Sequence, residues 1–88
     1  MEKIILDGAK MTDKTAAHEH IAVMMGFPQW YGNNLDALWD MLSERDEADI
    51  ELVSASPMLN ALGTYGCRLL SCFFDAAAEN PCILFTVK

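Results

Sequence analysis

Three short apolar segments constrain the fold of this chain, because turn residues bound them and long stretches separate them. The first is Ile4-Ile5-Leu6, which ends at Asp7-Gly8; the second contains Ile50, Leu52 and Val53; the third spans 82–87. Short continuous apolar runs are typical of buried parallel strands, and parallel strands require long crossover connections. The pattern therefore predicts a small three-stranded parallel sheet, with the first strand covered on both faces.

The stretches between these strands show helical spacing of apolar residues and helix boundary signals. The predicted helices span about 13–25 and 34–43, then a short segment from Ser56-Pro57 to Gly63, and finally a segment from near Tyr65 to Asn80-Pro81. The charged run 44–49 is predicted to be a connection. The order β-α-α-β-α-α-β predicts an α/β fold with about four helices, in a single domain over residues 1–88.

The acidic charge is large and concentrated in one region of the chain. Thirteen acidic and six basic residues give a net charge of −7 over 88 residues, and residues 36–51 contain seven acids and one base, Arg45. Such a surface repels nucleic-acid phosphates and anionic membranes and attracts basic proteins. We therefore expect a basic protein as partner, no nucleic acid and no membrane, although residues 44–51 would also suit a solvated, solubilising surface.

The cysteines and histidines do not form a metal-binding or catalytic motif. Cys67, Cys72 and Cys82 are odd in number and lie among apolar residues, which indicates buried free thiols. His18-Glu19-His20 lacks zinc-protease spacing, and no phosphate-binding glycine loop or serine-nucleophile motif occurs. We expect no enzyme activity, no metal and no cofactor. The N-terminal segment predicts neither a signal peptide nor a membrane span, which favours the cytoplasm.

Residues 26–40, GFPQWYGNNLDALWD, bring aromatic and acidic side chains together. Asp36 and Asp40 are four residues apart on the second predicted helix, so they share a face and repel each other by about 0.2–0.5 kcal/mol. Trp39 lies at the edge of that face, and Trp30 and Tyr31 lie in the preceding loop. Aromatic residues beside exposed acids are typical of protein interfaces, although each ring could instead cover the edge of the core.

This segment resembles the central motif of the barstar family, whose members are intracellular inhibitors of secreted ribonucleases such as barnase. The matching residues are Pro28, Trp30, Tyr31, Gly32, Asn34, Leu35, Asp36, Ala37, Leu38, Trp39 and Asp40. The resemblance extends to the Asp7-Gly8 turn, to His18 and to FFDAAAEN (residues 73–80) before the last strand. It implies a three-stranded parallel sheet with helices, in agreement with the order of elements above.

The resemblance also implies which residues bind the partner. In the family, the loop and second helix plug the nuclease active site, and an acid near the end of that helix takes the phosphate position; this acid corresponds to Asp40. Asp36 would contact the basic surface, Trp30 would pack on the enzyme, and Asp75 would assist at the rim, with Glu79 one turn later. The predicted partner-binding residues are Trp30, Tyr31, Asn34, Asp36, Trp39, Asp40, Asp75 and Glu79.

The sequence departs from the family pattern near this motif. Trp30 replaces the usual tyrosine, Arg45 stands where barstar carries a tryptophan, and residues 46–56 are shorter and more acidic. Because such rim positions set specificity, the alternative is a non-inhibitory barstar-like domain that binds another basic protein.

An enzyme using Asp36 and Asp40 as acid and base, with one of the histidines, would need a concave pocket around both aspartates. We expect a monomer when free.

Overall fold

The computed structural model describes residues 3–88 and has the predicted α/β architecture. Its elements are β1 (Lys3–Asp7), a 3₁₀ turn (Gly8–Lys10), α1 (Lys14–Met25), α2 (Leu35–Ser43), β2 (Ala48–Val53), α3 (Ala55–Leu62), α4 (Thr64–Glu79) and β3 (Ile83–Val87). Strands β1 and β3 each pair in parallel with the central strand β2. The predicted three-stranded parallel sheet and its four α-helices are confirmed.

Strand β2 and helix α3 both begin earlier in the chain than predicted. Strand β2 begins at Ala48, inside the predicted connection, because Ala48 pairs with Ile83 and extends the parallel ladder. Helix α3 begins at Ala55, and Ser54 precedes it in the left-handed conformation (φ 56°, ψ 48°) without a side-chain cap. Pro57 therefore lies later in the first turn than expected, where its missing N–H still costs no helical hydrogen bond.

The prediction that the first strand is covered on both faces is wrong. Ile4 and Leu6 are buried, whereas Ile5 between them is 44% exposed. Strand β3 alternates in the same way, since Ile83 is buried and Leu84 is 53% exposed. Successive side chains of a strand point to opposite faces, so an unbroken apolar run does not reveal that one face is open.

The open face of the sheet carries the two ion pairs found within residues 3–88. Glu51 of β2 lies 3.3 Å from Lys3 Nζ and 3.1 Å from Lys88 Nζ. Hydrogen bonding from Lys88, and then from Lys3, holds the pKa of Glu51 below its ordinary value. These contacts connect buried Glu51 of β2 to Lys3 of β1 and to Lys88, which follows β3.

The prediction of three buried thiols is wrong for two of them. Cys67 and Cys82 are exposed, Cys72 is half-buried, and all three are free. Cys67 lies on a solvent-facing side of α4 and Cys82 lies just before β3. Neighbours in sequence need not be neighbours in space, because a helix turns successive residues to different faces.

A buried histidine connects the core to the loop between α1 and α2. The imidazole of His18 hydrogen-bonds through Nδ1 to the Tyr31 hydroxyl at 2.8 Å and through Nε2 to the Tyr65 hydroxyl at 2.6 Å. Burial lowers the pKa of His18 and raises that of Tyr31, so a neutral imidazole joins two protonated phenols. This contact fixes Tyr31, the residue that follows Trp30, against the core.

Two side chains anchor the C-terminal end of α2. Asn80 Nδ2 donates to the carbonyls of Leu42 (3.2 Å) and Arg45 (3.1 Å), and Asn80 Oδ1 accepts from the Cys82 N–H at 3.0 Å. Arg45 Nη1 donates to the carbonyl of Met25, the last residue of α1, at 2.8 Å. Carbonyls at helix ends lack helical partners, so these bonds satisfy them and join α2 to both neighbouring helices.

Replacement of Asn80 tests this anchor. We expect Asn80→Ala to lower the free energy of unfolding by about 1–3 kcal/mol, because partly buried backbone groups lose their hydrogen-bond partners. Urea unfolding followed by circular dichroism measures the change. Asn60→Ala is the matched control, since Asn60 is exposed on α3 and should change stability by less than about 0.5 kcal/mol. Equal stability of the two variants would contradict the anchor.

Acidification tests the imidazoles of buried His18 and partly buried His20. The pKa values of His18 and His20 are lowered from 6.5, chiefly by burial. Their contribution to stability is therefore fully present above pH 6.5 and is lost as the pH falls through the folded-state values, because the unfolded chain binds protons first. We expect the free energy of unfolding to be smaller at pH 5.5 than at pH 7.5.

The double variant His18→Gln, His20→Gln provides the comparison, because glutamine keeps hydrogen-bonding groups but does not titrate. Its stability should change less than that of the wild type between the same two pH values. The pKa of Glu51 is lowered from 4.5, so its contribution is lost only below this window. An equal loss in wild type and double variant would show that the histidines do not cause the pH dependence.

Candidate protein-binding surface

Helix α2 is held at its N-terminus by the capping side chain of Asn34. Asn34 Oδ1 accepts from the Ala37 N–H at 2.7 Å, and Asn34 Nδ2 donates to the Gly32 carbonyl at 3.2 Å. Asn33 adopts a positive φ of 53° and turns the chain into the helix. The exposed amide of Asn34 is thus engaged with its own loop, where it fixes the start of α2.

Three carboxylates form a stripe along α2, which we call the acidic stripe: Asp36, Asp40 and Glu44. All three side chains are exposed, and their spacing of four residues places them on one side of the helix. Both ion pairs within residues 3–88 involve Glu51 instead. Arg45, the basic residue adjoining the stripe, is committed to the Met25 carbonyl. The stripe therefore points to solvent without a compensating cation in the described chain.

The two loop aromatics occupy different environments. Trp30 is 78% exposed, whereas Tyr31 is only 7% exposed. The Tyr31 ring packs on Phe27 with centroids 4.8 Å apart, and its hydroxyl bonds to His18. Tyr31 consequently holds the loop on the core and presents little surface to a partner, while the indole of Trp30 is free to contact one. Trp39 is partly buried and packs against the core cluster.

An open groove of about 480 Å³ lies between the Trp30 loop and α2. It is lined by Trp30, Tyr31, Gly32, Ala37, Asp40, Met41 and Glu44. Asp40 lines this groove, whereas Asp36 does not. The two aspartates therefore do not share this groove, in which Asp40 lies together with Glu44.

Helix α4 brings a second acidic edge close to the first. The Cys72 thiol of α4 donates to the Leu35 carbonyl at 3.9 Å. Burial raises its pKa to about 11, and the nearby carboxylates of Asp75 and Asp36 add to this effect. Asp75 thus lies on the same side of the molecule as Asp36. Glu79 is also exposed, one turn further along α4.

Sequence reasoning missed three residues that shape this surface. Arg45 appeared there only as a departure from the family pattern, and Asn80 and Cys72 appeared only as a helix stop and a buried thiol. Arg45 bonds to a residue 20 positions away in the chain. Asn80 bonds to residues 35 and 38 positions away, and Cys72 bonds to one 37 positions away. Spacing within one helix carries no signal for such contacts.

Residues 3–88 contain no group of three His, Cys, Asp or Glu side chains arranged to hold a metal ion. No helix in this range combines the length and apolar character that a membrane crossing requires.

Comparisons with known proteins agree with the fold and with the motif. The family model described as "Barstar (barnase inhibitor)" matches residues 1–87. The Bacillus subtilis (strain 168) protein named "Putative ribonuclease inhibitor YrdF" is 33% identical over 81 residues, a match that covers 90% of this chain and 89% of that protein. The chain therefore belongs to the barstar family.

Proposed function

We propose that this protein inhibits a ribonuclease by inserting α2 and the Trp30 loop into the enzyme's active site. The observation that carries the proposal is the exposed carboxylate of Asp40, which lies beside Trp30 on a helix anchored at both ends. The names of the matched family and of the Bacillus subtilis relative support the same class of function.

The chemistry of the target explains why a carboxylate would serve as the plug. A ribonuclease gathers cationic side chains to bind phosphate and to stabilise the charge that develops during cleavage. A carboxylate accepts charge-assisted hydrogen bonds from the same groups, including bidentate bonds from arginine. In this proposal Asp40 takes the phosphate position, and Asp36, Asp75 and Glu79 contact the surrounding basic surface.

The anchoring of α2 favours binding without rearrangement. Ordering loops and side chains on association costs free energy, and a surface that is already ordered avoids part of that cost. The Asn34 cap, the Asn80 bonds and the Tyr31–His18 contact hold the helix and its loop in place before the partner arrives. The uncompensated acids are thus presented in a fixed arrangement.

The proposal includes a partner and a setting. The partner is a basic protein, and binding uses no cofactor, nucleic acid or membrane. The inhibitor is a monomer when free and acts in the cytoplasm, where its three free thiols would remain reduced. There it would meet a ribonuclease before export, or one that enters from outside.

Removal of the central carboxylate tests the proposal. We expect Asp40→Ala to weaken binding by about 2–5 kcal/mol, the general range for truncated interfacial charge pairs, which was measured in part on barnase–barstar itself. The folded state should be unchanged or slightly more stable, because repulsion of about 0.2–0.5 kcal/mol with each neighbouring acid is relieved. The assay measures RNA cleavage by barnase and other small secreted ribonucleases with increasing inhibitor.

Asp46→Ala is the control for Asp40→Ala. It removes the same charge from an exposed residue outside the groove. Inhibition by Asp40→Ala that equals wild type would refute the placement of Asp40 in the active site. Failure of the wild type to inhibit or bind any ribonuclease would favour the alternative, a barstar-like domain that binds another basic protein.

Salt dependence tests the role of the acidic surface in encounter. Opposite net charges accelerate association, and salt screens the effect over about 10 Å at 0.1 M. We expect the association rate constant to fall steeply between 50 and about 500 mM NaCl, while the dissociation rate changes less. Stopped-flow tryptophan fluorescence with the inhibited ribonuclease measures both rates, and a salt-insensitive association rate would contradict electrostatic steering.

A further inference from the structure

The Tyr65 hydroxyl of α4 forms the outer half of a hydrogen-bonded chain that leads to the Trp30 loop. It lies 2.6 Å from Nε2 of His18, and the Nδ1 atom of the same imidazole lies 2.8 Å from the Tyr31 hydroxyl. His18 is fully buried, whereas Tyr65 is partly buried and reaches the imidazole from the surface. The imidazole therefore connects α4 to the residue that follows Trp30.

This chain has a direction, because a neutral imidazole donates through one nitrogen and accepts through the other. The nitrogen that carries the proton is set by the hydrogen bond made at the other nitrogen. If Tyr65 donates to Nε2, the imidazole proton is on Nδ1 and is donated to Tyr31. If Tyr65 accepts, both bonds are reversed. The donor strength of Tyr65 thus decides the tautomer of His18.

Positive charge beside Tyr65 makes its hydroxyl the stronger donor. Lys14 Nζ lies 4.7 Å from the centroid of the Tyr65 ring. Burial raises the pKa of Tyr65, and the charge of Arg68 on the same helix opposes this increase. Burial also raises the pKa of Tyr31, where Tyr65 and Cys72 raise it further. A nearby cation favours release of a hydroxyl proton, so donation from Tyr65 is preferred to donation from Tyr31.

The position of Lys14 is not explained by the stability of its own helix. Lys14 is the first residue of α1, where the helix dipole disfavours a positive charge. Within residues 3–88 no carboxylate lies within ion-pairing distance of Lys14, since both ion pairs involve Glu51. Its contact with the Tyr65 ring is therefore an independent indication that this cation acts on Tyr65.

We propose that Tyr65 is a positioning residue for the Trp30 loop. Tyr65 donates to Nε2 of His18, the imidazole carries its proton on Nδ1, and this N–H donates to the Tyr31 hydroxyl. The single direction of the chain fixes the orientation of the imidazole, which in turn holds Tyr31 and the adjacent Trp30. The effect on inhibition rests on the proposed function, but the tautomer and the order of the loop belong to the free protein.

The tautomer of His18 can be measured without a partner. The ¹⁵N chemical shifts of both imidazole nitrogens are recorded at about pH 7.5, where the imidazole is neutral because burial lowers its pKa. We expect Nδ1 to carry the proton and Nε2 to be an acceptor. A proton on Nε2 would overturn the inference.

The double variant Lys14→Gln, Arg68→Gln tests the role of the two cations. Both residues are exposed, so the variant should fold. We expect the two nitrogen shifts of His18 to move toward each other, because Tyr65 becomes a weaker donor and both tautomers are populated. Nitrogen shifts equal to those of wild type would refute the role of the cations in setting the tautomer.

Tyr65→Phe tests the positioning of the loop, because it keeps the ring and removes the hydroxyl. We expect ¹⁵N relaxation of the Trp30 indole and of the amides of residues 29–32 to show greater mobility. Dissociation from an inhibited ribonuclease should become about twofold to tenfold faster, which corresponds to the loss of one intramolecular hydrogen bond. Loop relaxation equal to that of wild type would overturn the positioning role.

Phe85→Leu is the control for a general loss of stability. Phe85 is partly buried and packs on the rings of Phe73 and Phe74, and its ring makes no contact with the chain of hydrogen bonds at His18. The variant should lower folding stability but leave the loop relaxation and the dissociation rate like those of wild type. Changes in loop relaxation equal to those of Tyr65→Phe would show a structural effect and refute the specific role of Tyr65.

The ribonuclease assay separates failure of this inference from failure of the proposed function. If the tautomer and the loop relaxation behave as expected but no ribonuclease is inhibited, the positioning role of Tyr65 stands and the proposed function is refuted. If wild type inhibits a ribonuclease and Tyr65→Phe matches it in loop relaxation and dissociation rate, the proposed function stands and the positioning role is refuted.

Discussion

The anchoring of α2 at both ends is the constraint on which the rest of this surface depends. Its sequence places like charges four residues apart, and its C-terminal acid opposes the helix dipole, so the helix gains little from its own electrostatics. Asn34 caps the first turn, and Asn80 joins the last turn to the segment before β3. Arg45 then connects the residues after α2 to the end of α1.

The acidic stripe costs α2 less free energy than its anchoring hydrogen bonds contribute. Each like-charge pair costs a few tenths of a kcal/mol, whereas a typical intramolecular hydrogen bond contributes about 0.5–1.5 kcal/mol. The buried contacts of Leu38 and Leu42 add hydrophobic stabilisation on the opposite side of the helix. Folding can therefore hold three carboxylates in one row, and a cationic partner would remove the repulsion between them.

Much of the fold could be predicted from local patterns, because its strands and caps are encoded over short distances. The apolar runs predicted β1 and β3, and helical spacing predicted α1 and α2 close to the bounds that the structure shows. The exposure of Ile5 and Leu84 could not be predicted from the sequence, because it depends on which face of the sheet the helices cover. The contacts of Arg45, Asn80 and Cys72 could not be predicted either, because each side chain hydrogen-bonds to a segment that is distant in the chain. At the surface, spacing predicted the row of Asp36 and Asp40, but not the division between exposed Trp30 and buried Tyr31.

The central claim is that a carboxylate of α2 takes the place of phosphate in a ribonuclease. Competition with a mononucleotide tests it most directly: the apparent dissociation constant of the inhibitor for barnase, or for another ribonuclease that it inhibits, is measured at rising nucleotide 3′-monophosphate and constant ionic strength. If Asp40 occupies the phosphate position, the apparent constant rises in proportion to the nucleotide concentration once the enzyme is saturated with nucleotide. An unchanged constant, with inhibitor and nucleotide bound to the enzyme together, would contradict the claim.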